Sequence, residues 1–189
     1  GKANPLRRLN AKGQDVLVRV GSPSGDLYYP DTKTSRATYK GPSTLVDICV
    51  LPYGNYAIID QNRGRIFAYN SDGELMYEIG GPGNISGGMT TACALEYYNG
   101  RFYALDSAKC QINVYDLTEY GILFEEVSKA SATLDYDEEE RLWNKISNEN
   151  VNCTLAIRGL GNAAYRRQDM NTAMEYFKKA KDTEGYSKA

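Results

Sequence analysis

Two stretches of this chain superimpose on each other without a gap. YAIIDQNRGRIFAYN (56–70) and FYALDSAKCQINVYD (102–116) lie 46 residues apart, so Gly54, Asp60, Ile66 and Tyr69 find counterparts in Gly100, Asp106, Ile112 and Tyr115. Self-similarity of this kind restricts the fold more than local propensity does, because every copy has to form the same unit and bury the same face against its neighbour. Inside the first copy, apolar runs alternate with turn signals and predict strands over 45–51, 56–60, 65–69 and 74–79. Pro52-Tyr53-Gly54-Asn55, then 61–64, then 70–73 separate them, and the last is an Asp-Gly turn that supplies positive φ for a hairpin. Gly80-Gly81-Pro82-Gly83 reads as the break before the next copy.

A four-stranded antiparallel unit at such a period is the mark of a propeller blade. With Asp at the end of the second strand, a turn, and then an R-I-x-x-Y strand, the unit resembles the NHL-type propeller. The second copy lacks a fourth strand, since Leu117-Thr118-Glu119-Tyr120 runs straight into a helical pattern, so 84–116 reads as the last blade. Two blades cannot close a ring that needs about four to eight. The expectation is therefore a fragment of a larger propeller, whose open strand edges pair with another chain or are capped by residues 1–41. Within 1–41, the turn 10–13 aligns Gly13 with Gly73 and reads as the tail of an earlier blade, with strands expected at 15–20 and 26–29 and a long loop over 30–42.

A second period, of 34 residues, governs the rest. LGNAAYRRQDMNTAMEYFKKA (160–180) carries Leu160, Gly161, Tyr165, Ala173, Phe177 and Ala180, the helix–turn–helix pattern of a tetratricopeptide repeat. Stepping back one period from Phe177, Ala180 and Ile157 reaches Trp143, Ile146 and Leu123, and the DYD at 135–137 matches Asp169-Met170-Asn171. Two units follow, 120–153 and 154–187, with Glu139 standing where the second has the small Ala173. Helices are expected over 118–131, 138–149, 152–167 and 170–182, with Asp135 as a cap. The domain division is thus a partial propeller segment, 1–116, and a helical segment, 117–189.

Little in the chain points to chemistry. Histidine is absent, which excludes Ser-His-Asp and Cys-His catalysis and removes the usual zinc ligand. The net charge of −2, without a long basic run, argues against a nucleic-acid partner. No apolar run reaches the ~20 residues that cross a bilayer, so no direct membrane contact is expected of these residues. Cys49, Cys93, Cys110 and Cys153 read as free thiols, with a Cys49–Cys93 bridge left open. The acidic run 135–140 has no Gly and enters a helix at once, so it reads as a solvated cap and not as a calcium loop. Asp60 and Asp106 occupy equivalent positions in different copies and read as turn-bonding residues. The Gly-rich 80–88 matches no phosphate loop. Two Asn-x-Ser/Thr triplets occur, at Asn84 and Asn152. Sixteen tyrosines, with adjacent pairs at Tyr28-Tyr29 and Tyr97-Tyr98, place some phenol rings on the surface, where Tyr suits contact with protein or carbohydrate.

In order, NPLRRLNAKGQDVLVR, GDLYY, RGRIFAYNSDGELMYEIGG, ALEYYNGRFYALDS and LTEYG form a series. It resembles large bacterial cell-envelope proteins that carry an NHL propeller, tetratricopeptide repeats and a C-terminal Yip-type membrane domain. That resemblance implies a secreted region on the extracytoplasmic face of the membrane, anchored elsewhere in the polypeptide, and brings with it no catalytic residues and no cofactor. The function expected is non-enzymatic: an interaction scaffold whose tetratricopeptide groove takes a protein or peptide and whose propeller rim takes a protein or glycan. Glu126, Ala130, Asn162 and Arg166, from the first helix of each pair, are the residues expected to line that groove. Two alternatives stand beside it, a rigid spacer and a lactonase-like propeller hydrolase or lyase with a metal in the central channel.

Overall fold

The computed structural model describes residues 6–18 and 43–189, and the chain divides into two compact units, Gly1–Asp116 and Leu117–Ala189. The fold is mixed β plus α. Among the described residues, eight strands form a five-stranded and a three-stranded sheet, five α-helices follow, and no barrel closes. The expected strand at 26–29 and the loop over 30–42 lie outside the described residues.

In the first unit, β1 (Leu45–Val50), β2 (Tyr56–Asp60), β3 (Arg65–Tyr69) and β4 (Leu75–Pro82) run antiparallel in sequence order. β5 (Gly88–Met89) then pairs in parallel with the end of β4, Gly81 opposite Gly88 and Pro82 opposite Met89. The glycine–proline run expected to break the chain therefore extends a strand, because its backbone finds hydrogen-bond partners in a segment that folds back from 83–87. β6 (Ala92–Tyr98), β7 (Arg101–Asp106) and β8 (Gln111–Asp116) form the second sheet, also antiparallel.

The two sheets repeat each other in register as well as in sequence. Ile48 pairs with Ile58 and Val50 with Tyr56, while Leu95 pairs with Ala104 and Tyr97 with Phe102. Both first strands carry an irregularity at the same place, between Leu45 and Asp47 and between Ala92 and Ala94. Ile48 is thus the counterpart of Leu95, and Val50 of Tyr97. β6 lies against β1 and β2, and Asp47 Oδ2 accepts the Leu95 N–H at 2.7 Å across the junction.

Residues 6–18 carry a third trace of the unit. Asn10 makes a five-residue turn in which its side-chain oxygen accepts from the N–H groups of Lys12 and Gln14, and its backbone bonds Gly13 and Gln14. Asn70 bonds Asp72, Glu74 and Gly73 in the same way. A strand over 15–20 does not form in its described part. Leu9 and Asp15 make an isolated bridge, and the Asp15 carboxylate takes the N–H groups of Arg8 and Leu17, so side chain replaces ladder. Leu6 and Leu17 nevertheless pack on the buried cluster Tyr56, Ile58, Phe67 and Tyr69.

The second unit holds α1 (Glu119–Ala132), α2 (Tyr136–Glu149), α3 (Thr154–Arg166), α4 (Met170–Ala180) and α5 (Thr183–Lys188). One turn recurs three times. Leu134, Gln168 and Lys181 take left-handed φ near 60°, and the next residue is an Asp whose side chain caps the following helix: Asp135 from Glu138 N–H, Asp169 from Thr172, Asp182 from Gly185. The left-handed residue at 181 ends α4 at Ala180, short of the expected 182, and the third Asp starts α5, which the 34-residue pattern does not announce. Large and small residues interlock across the hairpins. A Cβ on Gly159 would stand 2.4 Å from the Trp143 ring, and one on Gly185 2.6 Å from Phe177. Gly159 of α3 and Gly185 of α5 therefore each receive the aromatic residue of the preceding helix, which lets the backbones approach.

Candidate functional site

The four residues expected to line the helical groove do not share one environment. Glu126 and Asn162 are exposed, on α1 and α3. Ala130 is buried, packed in the core of the helical unit, and offers no contact surface. Arg166 is engaged within the unit: it donates to Glu139 Oε2 at 3.0 Å, and its guanidinium lies 4.4 Å from the centre of the Tyr136 ring. Glu139 also accepts from Trp143 Nε1 at 3.3 Å. Glu139, whose counterpart one period on is the small Ala173, is thus housed by a bond to its own helix and an ion pair to the next. Sequence spacing alone gave no signal of this, because Arg166 lies 27 residues away and in another helix.

A cleft of about 390 Å³ opens where α4 and α5 diverge, lined by Phe177, Lys178, Lys181, Thr183, Tyr186 and their neighbours. Tyr186 is exposed, and Asp182, at the cleft's edge, is paired with Arg158 at 3.2 Å. With that acid matched, the aromatic wall carries a basic rim at Lys178 and Lys181. Such a surface suits an apolar side chain followed by carboxylates. Nothing in the 34-residue pattern pointed to this end of the array.

In the sheet unit the two aspartates are occupied by backbone. Asp60 accepts from the N–H groups of Thr44 and Asn62 and from the Arg63 guanidinium. Asp106 accepts from Thr90 at 2.6 Å, Thr91 at 3.1 Å, Ala108 at 3.1 Å and Lys109 at 3.3 Å. Burial by itself would raise the Asp106 carboxyl, but these donors outweigh it and hold the group below the usual carboxylate range. Each Asp clips the start of its sheet's first strand to the turn after the second. The position one turn on differs: Arg63 returns to Asp60, whereas Lys109 Nζ donates to Gly83 O and Gly88 O, both at 2.9 Å, and Tyr115 donates to Gly87 O. The loop 83–88 is thereby tied down by a cation and a phenol.

All four cysteines are free thiols, and the Cys49–Cys93 bridge is not formed. Burial, reinforced by the charges of Glu96 and Asp47, pushes the Cys49 thiol up to about 12, while the Cys93 sulfur is turned to Leu105 O at 3.6 Å. Among the described residues, no group of three or more His, Cys, Asp or Glu side chains could hold a metal ion, and no helix is long and apolar enough to cross a membrane.

Apolar side chains on the outer face of the second sheet are exposed. Leu105 is 39% exposed, Ile112 63% and Val114 51%, whereas their counterparts Ile59, Ile66 and Ala68 in the first sheet are fully buried. No protein-family model matches the chain, and no curated protein matches it in sequence.

Proposed function

We propose that this chain is a non-enzymatic protein-interaction scaffold, built from a partial NHL-like propeller and two tetratricopeptide hairpins, at the outer face of a bacterial membrane. The repeated register of the two sheets and the three repeated Asp-capped turns support the repeat reading. The location rests on the sequence resemblance alone. The observation that carries the function is the aromatic cleft between α4 and α5 with its lysine rim. Its partner would be a peptide or helix of another protein that seats an apolar side chain beside Tyr186 and Phe177 and places acids near Lys178 and Lys181. A protein or glycan at the sheet unit's rim would use exposed tyrosines such as Tyr53 and Tyr98.

The test is fluorescence anisotropy of the whole chain with a labelled acidic amphipathic peptide carrying Leu at i and i+4. Tyr186→Ala and Lys178→Glu should each weaken binding roughly tenfold, a loss of about 1.4 kcal/mol, and Lys129→Glu on α1 should not. No binding, or binding indifferent to Tyr186 and Lys178, overturns the reading.

A rigid spacer is the second reading, favoured by the Glu139–Arg166 ion pair, which braces α2 against α3 and withdraws Arg166 from the groove. The hydrolase reading finds less support. Asp60 and Asp106, the repeated carboxylates it would draw on, already bond backbone N–H groups.

A further inference from the structure

We propose that the sheet unit associates head to tail with a second copy of this chain, face on face. The outer face of β7 and β8 in one copy receives the exposed face of β1 in the next. This rests on the reading of the two sheets as copies of one unit, and is independent of the peptide cleft in the helical unit.

The internal junction shows what each face accepts. There, β6 presents Leu95 and Tyr97 to the first sheet, and Leu95 is left only 4% exposed. The counterparts of those two residues on β1, Ile48 and Val50, are 44% and 78% exposed. On the receiving side, Ile59, Ile66 and Ala68 are sealed, while Leu105, Ile112 and Val114 are open. One body therefore displays both halves of a joint whose internal version is closed. Residues 6–18 take up only the β2–β3 part of the donor face, where Leu6 and Leu17 sit over Tyr56, Ile58, Phe67 and Tyr69, and Ile48 and Val50 on β1 stay exposed.

Apolar patches of this kind on opposite ends of a body favour a heterologous contact, which repeats and does not close on a two-fold axis. One element of the internal joint is missing. Ala94 stands where Asp47 stands, so no carboxylate is there to accept the partner strand's N–H. The contact is accordingly weaker than the internal one and depends on concentration. It also differs from edge-to-edge strand pairing, which uses backbone groups and is indifferent to side chains on the sheet face.

Sedimentation velocity on the whole chain tests this with two face variants, Val50→Lys on β1 and Ile112→Lys on β8. Both positions are exposed, and unchanged far-ultraviolet circular dichroism of each monomer establishes that they fold. The wild-type chain should grow from monomer to dimer and larger species as concentration rises. Each variant alone should stay monomeric. Mixed in equal amounts, the two should form dimers and nothing larger, because each contributes one intact face. A monomeric wild type, association that survives both substitutions, or a mixture that fails to dimerise overturns the proposal. Peptide binding at the helical cleft is unaffected by any of these outcomes, so the two readings fail separately.

Discussion

At the scale of single residues, the repeat turns comparison of equivalent positions into an experiment already half done. Asp106 is inaccessible to solvent and holds four backbone donors. Asp106→Ala leaves those donors without their acceptor and should cost about 3 kcal/mol or more in urea melts. Because its pKa is lowered in the folded state, the charge contributes stability fully above the ordinary carboxylate value of ~3.9 and loses it as pH falls through the lower, folded value. The stability gap between wild type and Asp106→Asn should therefore be constant near neutrality and shrink only below about pH 4. Cys110 stands where the first copy has Gly64, and both take left-handed backbone, φ 50° and 56°. Cys110→Gly should raise stability by about 1 kcal/mol, since only Gly adopts that region without a Cβ penalty. Thiol labelling gives a parallel check: exposed Cys110 should react with iodoacetamide in the folded protein, and buried Cys49, held protonated, should not until the chain unfolds. The turn-bonding role of both aspartates was legible in the sequence, because identical residues at equivalent strand ends imply a structural duty. The housing of Glu139 was not, since its partner Arg166 is supplied by tertiary packing.

At the scale of elements, the strands β2, β3 and the hairpin turn at 70–73 follow directly from alternation and turn chemistry, and Asp135 caps its helix as its position implies. The misreadings have specific causes. At 15–18 the local carboxylate bonds of Asp15 replace a strand ladder. At 80–82 a glycine–proline run forms strand because a parallel partner arrives from Gly88–Met89, a pairing no local pattern encodes. α3 begins at Thr154, two residues after the expected start, because Asn150 folds 150–153 into a turn. Gly159→Ala would place a methyl carbon 2.4 Å from Trp143 and force α2 and α3 apart. A loss of about 1–3 kcal/mol in thermal or urea melts is expected, the usual range for overpacking. No loss would mean that α3 does not lie against Trp143.

At the scale of the whole molecule, each unit presents an exposed apolar surface: β7–β8 with Leu105, Ile112 and Val114 in the sheet unit, and the Phe177–Tyr186 cleft of α4 and α5 in the helical unit. These are the two surfaces proposed to receive a second copy and a peptide. Periodicity made the copies readable in advance. It did not reveal which faces are sealed, because burial depends on what each copy packs against and not on its own sequence. The most direct measurement is native-state hydrogen exchange on the dilute, whole chain, since local opening free energies follow how completely an element is packed. β2 and β3, sealed between residues 6–18 and the second sheet, should exchange slowest in their unit. β8 should exchange markedly faster, and α5 faster than α3 and α4. Equal protection of β8 and β3 in the dilute monomer would contradict that order, because the outer face of the second sheet would then already be covered.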